Sequence, residues 1–219
     1  MKLTNILALS ALTASLFGVG CANFSSFQGA ETLRKGETLK GAGLTFTKYE
    51  IDIEGDGVPE AINVPAAVGW FRAGLTDKFE VNAKAWILLG ATIGGKYMIL
   101  GEREKPGLSV AAGLDVGAIQ IGATDPNDAN AEVQRTIFDA YVPVYVSYRL
   151  SSAFEVYAVP KYLFRAYFGG GYASETEHSV GSAFGMSIGR QSKVYAEVVT
   201  MYNVGLGSPA LTGGIGAAF

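Results

Sequence analysis

The chain of 219 residues is long enough for one domain or two small ones, and its composition narrows the choice of fold. Hydrophobic residues make up 49% of the chain and charged residues 17%, below the ~25% that is usual for soluble domains. This apolar and aromatic content excludes an intrinsically disordered chain. A formal net charge of −3 without a basic cluster gives no support to nucleic-acid binding.

The first twenty residues have the features of a secretory signal peptide. Lys2 provides a positive start, and the apolar run 6–19 is too short to cross a bilayer as a helix. The single cysteine, Cys21, follows this run and resembles the acylated cysteine of bacterial lipoprotein signals, which implies a lipid anchor. An ordinary signal peptide cut nearby is the alternative. Residues 21–36 are polar and without periodicity, and we expect them to form a periplasmic tether ahead of a domain over 37–219.

Alternation of apolar and polar residues with a period of two predicts that this domain is all β. From Phe138 onward, apolar residues occupy every second position and alternate with residues such as Asp139 and Arg149. The 29 glycines also argue against helices, since each costs about 1 kcal/mol inside one. The pattern predicts ten strands, at about 37–51, 61–75, 79–89, 92–101, 107–121, 133–150, 154–167, 178–189, 193–204 and 209–219.

The connections between these strands alternate between short and long. Tight polar turns are predicted at 76–78, 102–106, 151–153 and 190–192, and longer loops at 52–60, 122–132 and 168–177. Most strands reach the ~9–11 residues that a tilted strand needs to cross a bilayer. The expected fold is an antiparallel, transmembrane up-and-down β-barrel in contact with lipid. An even number of strands places both termini on the short-turn, periplasmic side and the long loops outside.

Two short motifs support this architecture by resemblance. The turn Gly74-Leu75-Thr76-Asp77 and the final aromatic, Phe219, are similar to features of small bacterial outer-membrane β-barrel proteins. The resemblance implies an outer-membrane location and names no activity. Aromatic residues near the predicted short turns form a candidate interfacial girdle: Phe79, Tyr97, Tyr148, Phe154, Tyr195 and Phe219.

The polar faces of the strands predict a charged barrel interior. Alternation places five acidic and five basic side chains there: Glu80, Lys84, Lys96, Asp115, Asp139, Arg149, Glu155, Lys161, Arg165 and Glu197. Equal numbers of both signs favour an internal network of salt bridges over an ion-selective pore. A wide open channel is not expected, because barrels of ~8 strands are filled by side chains and open channels appear near ~16. A narrow path for small solutes is the alternative.

No pattern in the sequence indicates catalysis. The only histidine, His178, stands beside an acidic loop, where we expect it to be solvated. Residues 52–60 resemble the first half of a calcium loop, with Asp52, Glu54, Asp56 and Glu60 as candidate ligands, but Asn63 stands where a bidentate glutamate would close it. An acidic turn is the alternative. The expected role is therefore structural or surface-binding, with a narrow channel or a secreted soluble ligand-binding barrel as alternatives.

Overall fold

A computed structural model describes residues 24–51, 60–86, 90–125, 128–169, 175–190, 192–205 and 207–219. It contains ten strands: β1 (Thr38–Ile51), β2 (Glu60–Gly74), β3 (Phe79–Trp86), β4 (Gly90–Leu100), β5 (Gly107–Asp125), β6 (Asp128–Ser151), β7 (Phe154–Gly169), β8 (Glu175–Ile188), β9 (Lys193–Asn203) and β10 (Ser208–Ala218). Among these residues there is no helix long and apolar enough to cross a membrane.

The strands form one closed antiparallel sheet. Each strand pairs with its neighbours in the chain, and β1 pairs with β10, from Gly41 opposite Ala218 to Tyr49 opposite Ala210. The prediction of an all-β, antiparallel up-and-down barrel of ten strands is confirmed. The strand bounds agree with the sequence pattern within a few residues, except that β5 and β6 extend beyond it.

The two faces of the sheet differ in chemistry, as β9 illustrates. Tyr195 and Glu197 are buried inside the barrel, whereas Val194 and Val198 are 60% and 50% exposed on the outside. Large apolar side chains are exposed in this way on nine of the ten strands, for example at Leu44, Phe46, Ile93, Leu114, Val142, Phe184 and Ile215. An apolar exterior around a polar interior is the arrangement of a transmembrane barrel, and it argues against the soluble alternative.

The β5–β6 hairpin rises beyond the barrel wall. Strand β4 pairs with β5 only as far as Ala118, and β7 pairs with β6 only from Arg135 onward. Within the described part of the sheet, residues 119–125 and 128–134 therefore pair only with each other and form a two-stranded ribbon. Seven residues of extended chain span about 24 Å. We call this part of the hairpin the projecting ribbon.

Residues 24–33, which we call the inner segment, lie inside the barrel. Phe27 and Ala30 are 1% and 0% exposed, and Ser25, Gln28 and Thr32 are also buried. The expectation of a periplasmic tether over 21–36 is therefore wrong for this stretch. A barrel of ten strands is wider than its inward side chains fill. The segment occupies that space, and its backbone groups bind many of the interior charges.

The inner segment joins the barrel wall at the short-turn end. The amide of Gly36 donates to the carbonyl of Gly74 at 2.8 Å, and the amide of Gly74 donates to the carbonyl of Glu37 at 2.9 Å. Strand β1 then begins at Thr38 and runs in the opposite direction along the wall. The last strand ends on the same rim, where Lys40 and Phe219 exchange two backbone hydrogen bonds.

Candidate functional site

The candidate site is the occupied lumen, and all ten charged residues predicted for the interior have their side chains there. Eight of them are buried, and Lys84 and Asp115 are half-buried. The structure adds three charged residues that the sequence pattern did not single out. Arg72 and Lys193 extend from the wall, and Glu31 belongs to the inner segment.

Glu80 is the centre of a buried cluster near the short-turn end. Its carboxylate accepts two hydrogen bonds from the guanidinium of Arg72, both at 2.8 Å, in a bidentate pair. The ammonium of Lys96 lies 3.2 Å from the same carboxylate, and the amide of Leu33 donates to it at 2.9 Å. One acidic side chain thereby holds two cations of the wall and the lower end of the inner segment.

Lys96 also binds the inner segment directly. Its ammonium donates to the carbonyls of Gly29 and Glu31 at 2.9 and 3.0 Å and to the side-chain oxygen of Gln28 at 3.3 Å. It lies 4.9 Å from the centre of the Tyr145 ring, within the range of a cation–π contact. A fully buried ammonium is thus surrounded by oxygens and an aromatic face, as its burial requires.

Glu31 forms the main ionic contact between the inner segment and the wall. Its carboxylate accepts a bidentate pair of hydrogen bonds from Arg149. Arg149 lies 3.8 Å from a second carboxylate, that of Glu155, which is also 3.5 Å from the ammonium of Lys193. The inner segment therefore adds an acidic side chain, that of Glu31, to the charged residues that the strands place in the lumen.

The upper half of the inner segment is held through its backbone. The carboxylate of Glu197 accepts from the amides of Ser26 and Phe27 at 2.6 and 3.0 Å, and from the Tyr157 hydroxyl at 3.0 Å. Such contacts bind main-chain amides and depend little on the side chains of the segment. In this half of the segment, the wall therefore binds mainly the peptide backbone.

An aromatic cluster fixes the side chain of Phe27. The ring stacks on Trp70 with a centroid distance of 5.1 Å and meets Tyr195 edge-on at 6.4 Å. Tyr195 therefore faces the lumen, and its expected place in the interfacial girdle is wrong, because it shares the inward face of β9 with Glu197. The ring of Trp70 packs against Gly41. A Cβ atom at that position would lie 2.2 Å from the ring, so only glycine leaves room for it.

Above the inner segment, toward the long loops, a further ion pair joins the inward faces of β6 and β7. Arg165 donates to Asp139 at 2.7 and 2.8 Å. Below it, Asp115 accepts from the amide of Asn82 at 3.0 Å. A cavity of about 40 Å³ lies beside the segment, which is room for roughly three water molecules at about 10–15 Å³ each.

The remaining predicted sites lie largely outside the described residues. This holds for Cys21 and for Asp52, Glu54 and Asp56 of the candidate calcium loop, while Glu60 opens β2 with a side chain that is also outside them. No group of three or more histidine, cysteine or acidic side chains that could bind a metal occurs within the described part of the chain. His178 is exposed and contacts Tyr162 and Phe164.

Comparisons with known proteins concern the architecture alone. No protein-family model matches the chain, and no curated protein matches it either. Among solved structures, the chain is similar to Ail, the attachment invasion locus protein of Yersinia pestis (11% identity, TM-score 0.36, covering 84% of this chain and 99% of that one). It is also similar to the outer membrane protease OmpT of Escherichia coli (13%, 0.47, 87% and 99%). A third similar structure is the translocator domain of the autotransporter NalP of Neisseria meningitidis (8%, 0.41, 99% and 97%). These identities indicate a similarity of fold alone.

Proposed function

We propose that this protein is a bacterial outer-membrane β-barrel, closed along its axis by its inner segment, that acts as a surface-binding protein without catalysis. The inner segment packed within the lumen is the observation that carries the proposal. Together with it, paired side chains line the described interior from Glu80 near one rim to the Asp139–Arg165 pair above the segment. A barrel filled in this way is a rigid support and is not a constitutive pore.

The acids and bases of the lumen serve to bind each other, which supports a role without catalysis. Glu80, Asp139 and Glu155 each lie in an ion pair, and a catalytic carboxylate needs access to a substrate. His178 is the only histidine of the chain, and the side chains that it contacts on the exposed surface are those of Tyr162 and Phe164.

The projecting ribbon supports a binding role at the surface. Strands β5 and β6 have 19 and 24 residues, about twice what a membrane crossing requires. The additional length lies beyond the wall and exposes strand edges that have no partner within the described sheet. Such edges accept an extended strand from a binding partner.

We expect the full-length protein to conduct no measurable ionic current across a bilayer. Purified and refolded protein should show heat-modifiable mobility in detergent gels, as folded membrane barrels do, and negligible conductance after insertion into planar bilayers. The conductance test is decisive, because stable unitary currents from the folded full-length chain would overturn the closed-barrel proposal.

We further propose that the long loops and the projecting ribbon face the outside of the cell. Protease added to intact cells should then cut in the ribbon near Asp125 and spare the short turn at Ser152 and Ala153. Mass spectrometry of the released fragments identifies the cut sites. Cleavage at the short turn with the ribbon intact would reverse the orientation.

The resemblance of Cys21 to an acylated cysteine leads us to propose a lipid anchor there. Cells grown with labelled palmitate should label the natural protein and not the Cys21→Ser variant, with both forms folded. A natural protein that takes up no label contradicts the anchor.

A further inference from the structure

Two lysines on distant parts of the wall converge on neighbouring oxygens of the inner segment. The ammonium of Lys161 on β7 donates to the carbonyl of Phe24 at 2.6 Å and to the hydroxyl of Ser26 at 2.7 Å. The ammonium of Lys84 on β3 donates to the next carbonyl, that of Ser25, at 2.6 Å. Both lysines line the 40 Å³ cavity, together with the guanidinium of Arg72 and one carboxylate, that of Asp115. Two cations thus bind two adjacent partly negative oxygens beside a small polar space.

The wall contacts the inner segment with more positive than negative side chains. Five basic residues donate to its oxygens: Arg72, Lys84, Lys96, Arg149 and Lys161. Two acidic residues, Glu80 and Glu197, accept from its amides. The carbonyl oxygens of the segment and the carboxylate of Glu31 therefore supply negative charge that this stretch of wall is built to bind.

The inner segment also determines whether the lumen is open. A ten-stranded barrel is wider than one of ~8 strands, whose interior side chains alone fill it. The segment is a single chain within the lumen, so its departure leaves an opening of about the cross-section of one chain along the same wall. Basic side chains lining a narrow opening favour anions.

We propose that the lumen is a pathway for small anions that the inner segment keeps closed, and that Lys84 and Lys161 form its anion-binding position. A carboxylate or a similar small oxyanion would place its oxygens where the carbonyls of Phe24 and Ser25 now lie. This inference rests on the proposed function, because the same segment closes the barrel. It adds small anions as the class of ligand, and it adds a conducting state of the barrel in which the inner segment has left the lumen.

The test compares the full-length protein with a variant that lacks residues 24–33. In planar bilayers with a potassium chloride gradient, the deletion variant should show unitary currents whose reversal potential shifts toward that of chloride. Adding Lys161→Glu to the deletion should abolish or reverse this shift. The matched control, Lys105→Glu on the exposed β4–β5 turn, should leave it unchanged.

A peptide of the deleted sequence provides an independent readout. Added on the short-turn side, it should block the currents of the deletion variant, whereas a scrambled peptide should not. This separates a defined binding path from leakage through a damaged barrel. Block by both peptides alike would contradict the proposal.

The outcomes distinguish this inference from the proposed function. Currents in the full-length protein would overturn the closed barrel, whereas a folded deletion variant that is silent or prefers potassium would overturn the anion pathway alone. If the deletion does not fold, the variant Phe27→Ala with Glu31→Gln retains the chain and removes its aromatic and ionic contacts. That variant should show intermittent chloride-preferring currents, and its silence when folded would contradict the inference.

Discussion

Replacing Glu80 with glutamine is expected to lower the free energy of unfolding by about 3–5 kcal/mol, the cost of leaving buried charges without their counter-ion. Arg72 and Lys96 are 6% and 0% exposed, and both bind this carboxylate. Glutamine retains the shape of the side chain and can still accept a hydrogen bond from the amide of Leu33. The decrease in the free energy of unfolding therefore measures the contribution of the negative charge. The midpoint of urea unfolding of the refolded protein measures it.

The matched control for Glu80→Gln is Glu102→Gln. Glu102 is paired with Lys105 on the exposed β4–β5 turn, where hydrogen bonding to Lys105 lowers the pKa of the Glu102 carboxyl. An exposed pair contributes little to stability, so this variant should unfold close to the natural protein. Equal midpoints for both variants would show that the interior charges are not coupled as the structure has them.

Replacing Val198 with arginine is expected to destabilise the barrel by about 2–4 kcal/mol, because it places a charge on the lipid side near the middle of β9. The same change at Leu150, which is 53% exposed beside the short turn, should cost only about 0–1 kcal/mol. Unfolding from lipid vesicles compares the two. Equal stability of both variants would contradict the membrane position.

Much of the fold was accessible from the sequence because lipid outside and polar groups inside impose a period of two on every strand. The same rule placed Asp139, Glu155 and Lys161 on the interior face. It also applied to Arg72, which follows the buried Val68 and Trp70 at alternate positions of β2. The alternation along β2 therefore predicts an inward position for Arg72 as well.

The inner segment was not accessible in the same way. It pairs with no strand, so it has no period, and its small polar residues are typical of a tether. Its position depends on groups far away in sequence, such as the contact of Glu31 with Arg149, 118 residues later. The projecting ribbon was missed for a related reason, since a two-stranded ribbon beyond the wall needs no apolar face.

The position of Phe27 has a consequence for how the barrel is assembled. A Cβ on Gly43 of β1 or on Gly214 of β10 would lie 3.3 or 2.8 Å from its ring, so Phe27 lies directly behind the seam where the first and last strands pair. The segment is synthesised before either strand. It supplies hydrogen-bond partners for basic side chains of the lumen that would otherwise lose their water without a replacement. We therefore expect the chain to fold around it as a template, with the pairing of β1 and β10 as the step that encloses it.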